Sequence, residues 1–260
     1  MGHEIWCLDA DVHRAVALAK LCGYPGRAHA YADWQVATPC EAVFICTPPD
    51  SGRPEQIQRC LNAGVRGLFV EKPLALDVSD LDEIAGLAAV RVADGALESV
   101  VTMGACNLRF VGGVSGLRKI AKPWRMLVLR MGQHSKYWSP THRPLSMILD
   151  SIHELDLAQY LNGQIESVRG YSEQDVAEVS VHHADGGLTH IFLDRKTDPP
   201  RRDATISRKG DQDFLMLRTN DGMYQREMEH FLGCVEAGMQ TTNPLRQVVE
   251  LNLKALEIVS

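Results

Sequence analysis

Residues 42–74 read AVFICTPPDSGRPEQIQRCLNAGVRGLFVEKPL, and the reading of this stretch decides the fold. Ala42 to Cys46 is a short unbroken run of apolar, β-favouring residues, closed by Thr47-Pro48-Pro49. Pro54 to Ala63 has helical spacing and stops at Gly64, the residue that most easily takes the left-handed end of a helix. Gly67 to Glu71 is a second unbroken run, broken by Pro73. Strands apolar at every position and separated by a helix belong to a parallel sheet covered on both faces.

The same grammar extends outward. Glu4 to Leu8 reads as a strand ending in Asp9, and Asp11 caps a helix carrying Val12, Ala15, Leu18 and Ala19. Ser79 to Val92 is helical, with Asp77 or Ser79 as its cap, and Ser99 to Met103 makes another strand. Beyond residue 105 the pattern changes. A helix from Val114 to Ala121, an alternating run from Arg125 to Met131 and a helix from about Ser146 to Leu161 come first. Five β runs follow, Ser167–Tyr171, Ala177–His183, Thr189–Asp194, Ala204–Arg208 and Phe214–Arg218, joined by short turns rich in Gly, Asp and Pro. Consecutive strands on short turns predict a largely antiparallel sheet, closed by helices over Met223–Gly238 and Leu245–Val259. The fold class expected is α/β followed by α+β: a Rossmann-like parallel domain over 1–105, then a domain over 106–260 whose last helix packs back on the first.

Composition narrows the function. With 27 basic and 33 acidic residues among 260, the chain carries a net charge of −6, the wrong sign for holding a nucleic-acid backbone. No apolar run approaches the ~20 residues that span a bilayer. Seven cysteines form no C-x-x-C pair and sit mostly in apolar segments, as reduced packing residues do. A cytoplasmic location is expected.

Ligands of parallel α/β sheets bind at the carboxyl ends of the strands. Those ends carry Asp9, Thr47-Pro48-Pro49, Glu71-Lys72-Pro73 and Asn107-Leu108-Arg109-Phe110. Singly, each has a bland reading as a cap, a turn or a solvent-facing residue. A second cluster, Leu149 to Leu157, places Asp150 and His153 one helical turn apart. A carboxylate beside an imidazole suits proton abstraction from an alcohol, although a purely structural pair has the same spacing. His-Glu-x-x-His is excluded because Leu157 occupies the second His position, and His182-His183 lies on a strand where neighbours face opposite sides. No metal is expected.

These residues, in this order, resemble the glucose-fructose oxidoreductase and inositol dehydrogenase (Gfo/Idh/MocA) family from about Gly2 to the C-terminus. Three motifs carry the resemblance: Val43 to Pro49 followed by Val70-Glu71-Lys72-Pro73-Leu74; Asn107-Leu108-Arg109-Phe110; and Ile148 to Asp156. Leu193-Asp194 leading to Pro199-Pro200-Arg201-Arg202 is a weaker match. The resemblance implies an NAD(P)-dependent oxidoreductase acting on a ring hydroxyl or ketone of a sugar, sugar derivative or cyclitol. It implies catalysis by Lys72 and His153, with Asp150 orienting His153, and cofactor binding by Asp9, Thr47, Pro48, Pro49, Glu71, Lys72 and Asn107. Which of Lys72 and His153 is the base stays open.

NAD is the expected cofactor, with NADP as the alternative, because Asp9 ends the strand whose acidic residue meets the adenine ribose. The outer face of the second sheet is expected to join subunits of a homo-oligomer. Sugar contacts are expected from Gln133 to Pro144, with His134, Lys136, Tyr137, Trp138, His142 and Arg143. The chain contains no G-x-G, and its Glu4–Asp9 run matches the family's second strand, so an incomplete sheet is expected, from a truncated gene, a misassigned start or a decayed relative. Two other functions stay open: a non-catalytic binding or oligomerisation module, and an NAD-using lyase or glycosidase.

Overall fold

A computed structural model describes residues 4–21, 28–31, 40–93, 100–119, 126–132, 146–173, 175–208, 211–218 and 222–259. The first half runs β1 (Ile5–Leu8), α1 (Val12–Leu21), β2 (Ala28–Tyr31), β3 (Ala42–Ile45), α2 (Arg53–Asn62), β4 (Gly67–Val70), α3 (Val78–Ala93) and β5 (Val101–Gly104). Asp11 caps α1 through its carboxylate, which accepts from the His13 amide at 3.0 Å, and Asp77 caps α3 by accepting from Asp80 at 2.9 Å. β2 was not expected from the sequence: its four residues gain their strand character by pairing in parallel with β1, Ile5 opposite Ala28 through Leu8 opposite Tyr31.

All strands of this half pair in parallel, but in two pieces, β1-β2 and β3-β4-β5. The unbroken apolar runs are explained by burial: β4 is buried at all four positions. One face packs against the main core, including Ile57, Leu61, Leu74, Leu81 and Ile84. The other packs Phe69, Val101 and Met103 against Phe231 and Val235 of the helix α7 (Met223–Ala237). A Cβ on Gly67 would run into Val235, so glycine sets how closely α7 approaches β4.

A 3-10 turn (Asn107–Phe110), α4 (Val114–Lys119) and β6 (Met126–Gly132) open the second half. The helix expected over 146–161 is two: α5 (Met147–Asp150) and α6 (Ile152–Asn162), separated by Ser151 at φ −110, ψ 30. Then come β7 (Ile165–Ser172), β8 (Val176–His183), β9 (Leu188–Asp194), β10 (Arg201–Arg208) and β11 (Asp211–Met216). They form a sheet of order β11-β10-β6-β9-β8-β7, antiparallel except for the parallel β6–β9 pair. Along β8 and β9, alternate residues such as Val179, Val181, Ile191 and Leu193 are buried and Glu178 and Phe192 are exposed, as alternation predicts for a sheet with one covered face.

The final helix, α8 (Leu245–Val259), lies against α3, β5 and β7. Its Asn252 accepts from the Leu74 amide at 2.7 Å and donates to the Ala75 carbonyl at 3.2 Å. This fastens the segment after Lys72-Pro73 to the second half.

Candidate functional site

Lys72 follows β4, and its ammonium reaches across to the second half, where Nζ donates to the backbone carbonyl of Asp150 at 2.6 Å. That bond joins the end of a parallel strand to the α5–α6 break. Beside it, Glu71 accepts from the Lys72 amide at 3.2 Å, and burial raises its pKa against the opposing pull of Lys72.

His153 stands in the first turn of α6. Its Nδ1 is buried with no hydrogen-bond partner. Burial first, then the positive charges of Lys72 and Arg202, hold its pKa well below the usual histidine value of 6.5. The imidazole is therefore neutral at neutral pH and able to accept a proton.

Asp150 does not orient His153, contrary to expectation. Its Oδ2 pairs with Arg195, both side chains being buried. The physical reason is the break at Ser151, because the one-turn spacing of Asp150 and His153 presumed a continuous helix. The next residue after His153, Glu154, is buried with Oε1 3.0 Å from Nε of Arg202, and burial raises its pKa.

The expected cofactor-lining residues sit at strand ends as predicted, but in different states. Asp9 Oδ1 accepts from the Asp11 amide at 2.8 Å at the end of β1. Thr47 is exposed after β3 and donates to Gln56 Oε1 at 2.7 Å, with Pro48 accepting from Ser51. Pro49 is partly buried beside them. Asn107 is buried, with an Oδ1 that meets no partner. Two residues on, Arg109 Nε donates to Asp156 Oδ2 at 2.5 Å and Nη2 to its other oxygen, locking the 3-10 turn to α6. The segment Gln133–Pro144 lies outside the described residues.

Sequence reasoning missed Arg195 and Arg53, and did not link Arg202 to Glu154. Arg202 lay within the weaker motif. Arg195 carried no local signal, since its partner is 45 residues away.

Residues 5–92 match the model of an oxidoreductase family described as having an NAD-binding Rossmann fold (GFO_IDH_MocA). No curated protein matches the chain in sequence. Among solved structures, UDP-N-acetylglucosamine 3-dehydrogenase GnnA from Acidithiobacillus ferrooxidans superposes with a TM-score of 0.78 at 21% identity, covering 96% of this chain and 87% of that one. A myo-inositol dehydrogenase from Corynebacterium glutamicum gives 0.75 at 16% identity, covering 98% and 88%. A levoglucosan dehydrogenase in complex with NADH gives 0.76 at 16% identity, covering 98% and 87%. The fold is thus shared with these oxidoreductases, and residues 5–92 are similar to the NAD-binding Rossmann unit of the Gfo/Idh/MocA oxidoreductase family.

Proposed function

We propose that this protein is an NAD-dependent dehydrogenase that oxidises a ring hydroxyl of a sugar, sugar derivative or cyclitol, or reduces the corresponding ketone. The observation that carries the proposal is the bond from Lys72 Nζ to the carbonyl of Asp150, three residues before His153. The Lys72–Asp150 bond brings the Glu-Lys-Pro strand end to the foot of α6, and the charge of Lys72 is felt by the His153 ring. A neutral imidazole beside an ammonium can remove the hydroxyl proton while the ammonium donates to the same oxygen. The lowered pKa of His153 leaves its ring uncharged at neutral pH and also makes it a weaker base.

The residues present fit the ribose and nicotinamide ends of the cofactor. Asp9 ends β1, where the adenine ribose is met, and the unpartnered Oδ1 of Asn107 offers a buried acceptor near the ends of β4 and β5. Thr47, Pro48, Pro49, Glu71 and Lys72 would line the crevice between them. Bound NAD would supply the hydride acceptor. The structures of similar fold named above are dehydrogenases of UDP-N-acetylglucosamine, myo-inositol and levoglucosan, which supports a sugar-like substrate. Tyr171, Phe192, Phe214 and Met216 are exposed on the second sheet, which supports self-association through that face; sedimentation velocity of Phe214→Glu against the parent chain reads this directly.

Incubating the protein with NAD and a panel of free sugars, nucleotide sugars, sugar acids and inositols, and following absorbance of NADH, tests the reaction. Turnover confined to small aliphatic alcohols or hydroxy acids would sink the sugar assignment. The rival reading is a non-catalytic sugar-binding or oligomerisation module. It predicts sugar binding by calorimetry with no NADH formed.

A further inference from the structure

Arg53 is an arginine in an unusual place. It is the first residue of α2, follows Gly52 with its left-handed φ of 72, and is wholly buried. Among the described residues it makes no ion pair. Its guanidinium instead donates to three backbone carbonyls: Nη1 to Glu71 and, at 2.5 Å, to Pro73, and Nη2 to Thr47. Its Nε meets no partner. Burying a guanidinium is costly, and burial lowers its pKa to about 10 against the opposing pull of the Glu71 charge. A mere filler at the start of a helix would not need the charge.

The identity of the acceptors is informative. Glu71 and Pro73 are the residues on either side of Lys72, so a single nitrogen holds both ends of the lysine's backbone. The second nitrogen ties that segment to Thr47, at the end of the neighbouring strand β3. At the other end of its side chain, Lys72 donates to the Asp150 carbonyl. We propose that Arg53 is the positioning residue for Lys72: it clamps the backbone of the Glu71-Lys72-Pro73 segment against the Thr47 loop, so that the ammonium is presented to the substrate oxygen in one place. Arginine reaches these carbonyls from two nitrogens of a planar fork, whereas lysine would have to reach all three from one nitrogen.

The proposal rests on the dehydrogenase reading for its catalytic consequence, but its physical core is tested without turnover. In the intact chain, Lys72 is labelled with an amine-acylating reagent and its rate is followed by mass spectrometry relative to Lys254, whose Nζ donates to the Glu166 carbonyl far along α8. Arg53→Met should raise the Lys72:Lys254 rate ratio several-fold, well below the melting temperature. Arg53→Lys, which keeps the buried charge, should raise it too. For oxidation of an accepted sugar, both variants should lower kcat by about 100-fold, the scale of an ångström of misplacement, with a much smaller change in KM for NAD. If Arg53→Met does not fold, Arg53→Lys alone decides. An unchanged labelling ratio in a folded variant overturns the proposal, as does a loss expressed in KM for NAD with kcat intact. Should the parent chain oxidise no sugar, the dehydrogenase reading fails, while the labelling ratio still decides whether Arg53 holds Lys72.

Discussion

Replacing Glu227 by glutamine isolates one proton in the interior. Glu227 lies on α7 and is 2% exposed, and its Oε1 meets no partner. The Cys106 amide hydrogen-bonds to it, which favours the charged form, yet burial and then the like charges of Glu71 and Asp156 push its pKa to about 8 from an ordinary 4.5. The folded state thus binds a proton that the unfolded chain has already released across this window. For a raised carboxylate the stability it contributes is complete below the unfolded value of 4.5 and is lost as pH climbs towards 8, the reverse of the salt-bridged case. With about 1.4 kcal/mol per pKa unit, moving from about pH 5 to about pH 8 removes on the order of 3 kcal/mol from the parent protein. Glutamine has the same shape and no charge at any pH, so the stability of Glu227→Gln relative to the parent should improve by that amount between the two conditions. In a chain of this size the change corresponds to about 6–12 °C in Tm. His153 acts in the other direction: with its folded pKa lowered, its contribution is present above 6.5 and is lost as pH falls, but it is common to both proteins and cancels in the difference. Urea unfolding of both proteins at the two pH values provides the measurement. An identical difference at each pH would refute the buried, protonated carboxyl.

Two further outcomes follow from the site. Lys72→Ala and His153→Ala should each lower turnover by ~100-fold to 10,000-fold, far more than they weaken NADH binding measured by calorimetry, because Lys72 Nζ reaches the Asp150 carbonyl near His153 and not the end of β1. Titration with NADH and NADPH should show tighter binding of NADH, since the 2′-phosphate would face the Asp9 carboxylate at the end of β1; Asp9→Asn should narrow the gap, and a parent preference for NADPH would overturn the assignment.

Local physics made most of this protein legible in its sequence. Apolar runs such as Gly67–Val70 announce strands buried on both faces, and the alternation along Val176–His183 announces a strand with one wet face. Asp11 marks the start of α1 because capping needs only a carboxylate two or three residues before an orphan amide. Lys72 stood out at the end of a strand that the pattern had placed, and His153 by its one-turn spacing from Asp150 within the helix expected over Ser146 to Leu161. Tertiary structure decided the rest. β2, with the sequence Ala-His-Ala-Tyr, has no pattern of its own and becomes a strand by pairing with β1. Ser151 interrupts a run whose periodicity continues across it, and so turns Asp150 away from His153 towards Arg195. Arg53 looks in sequence like any surface arginine; only the meeting of the β3 and β4 ends supplies three carbonyls for it to hold. Elements are written in neighbouring residues, because helix and strand periods are short-range. Partners of buried charges are not, because chain folding chooses them from anywhere along its length.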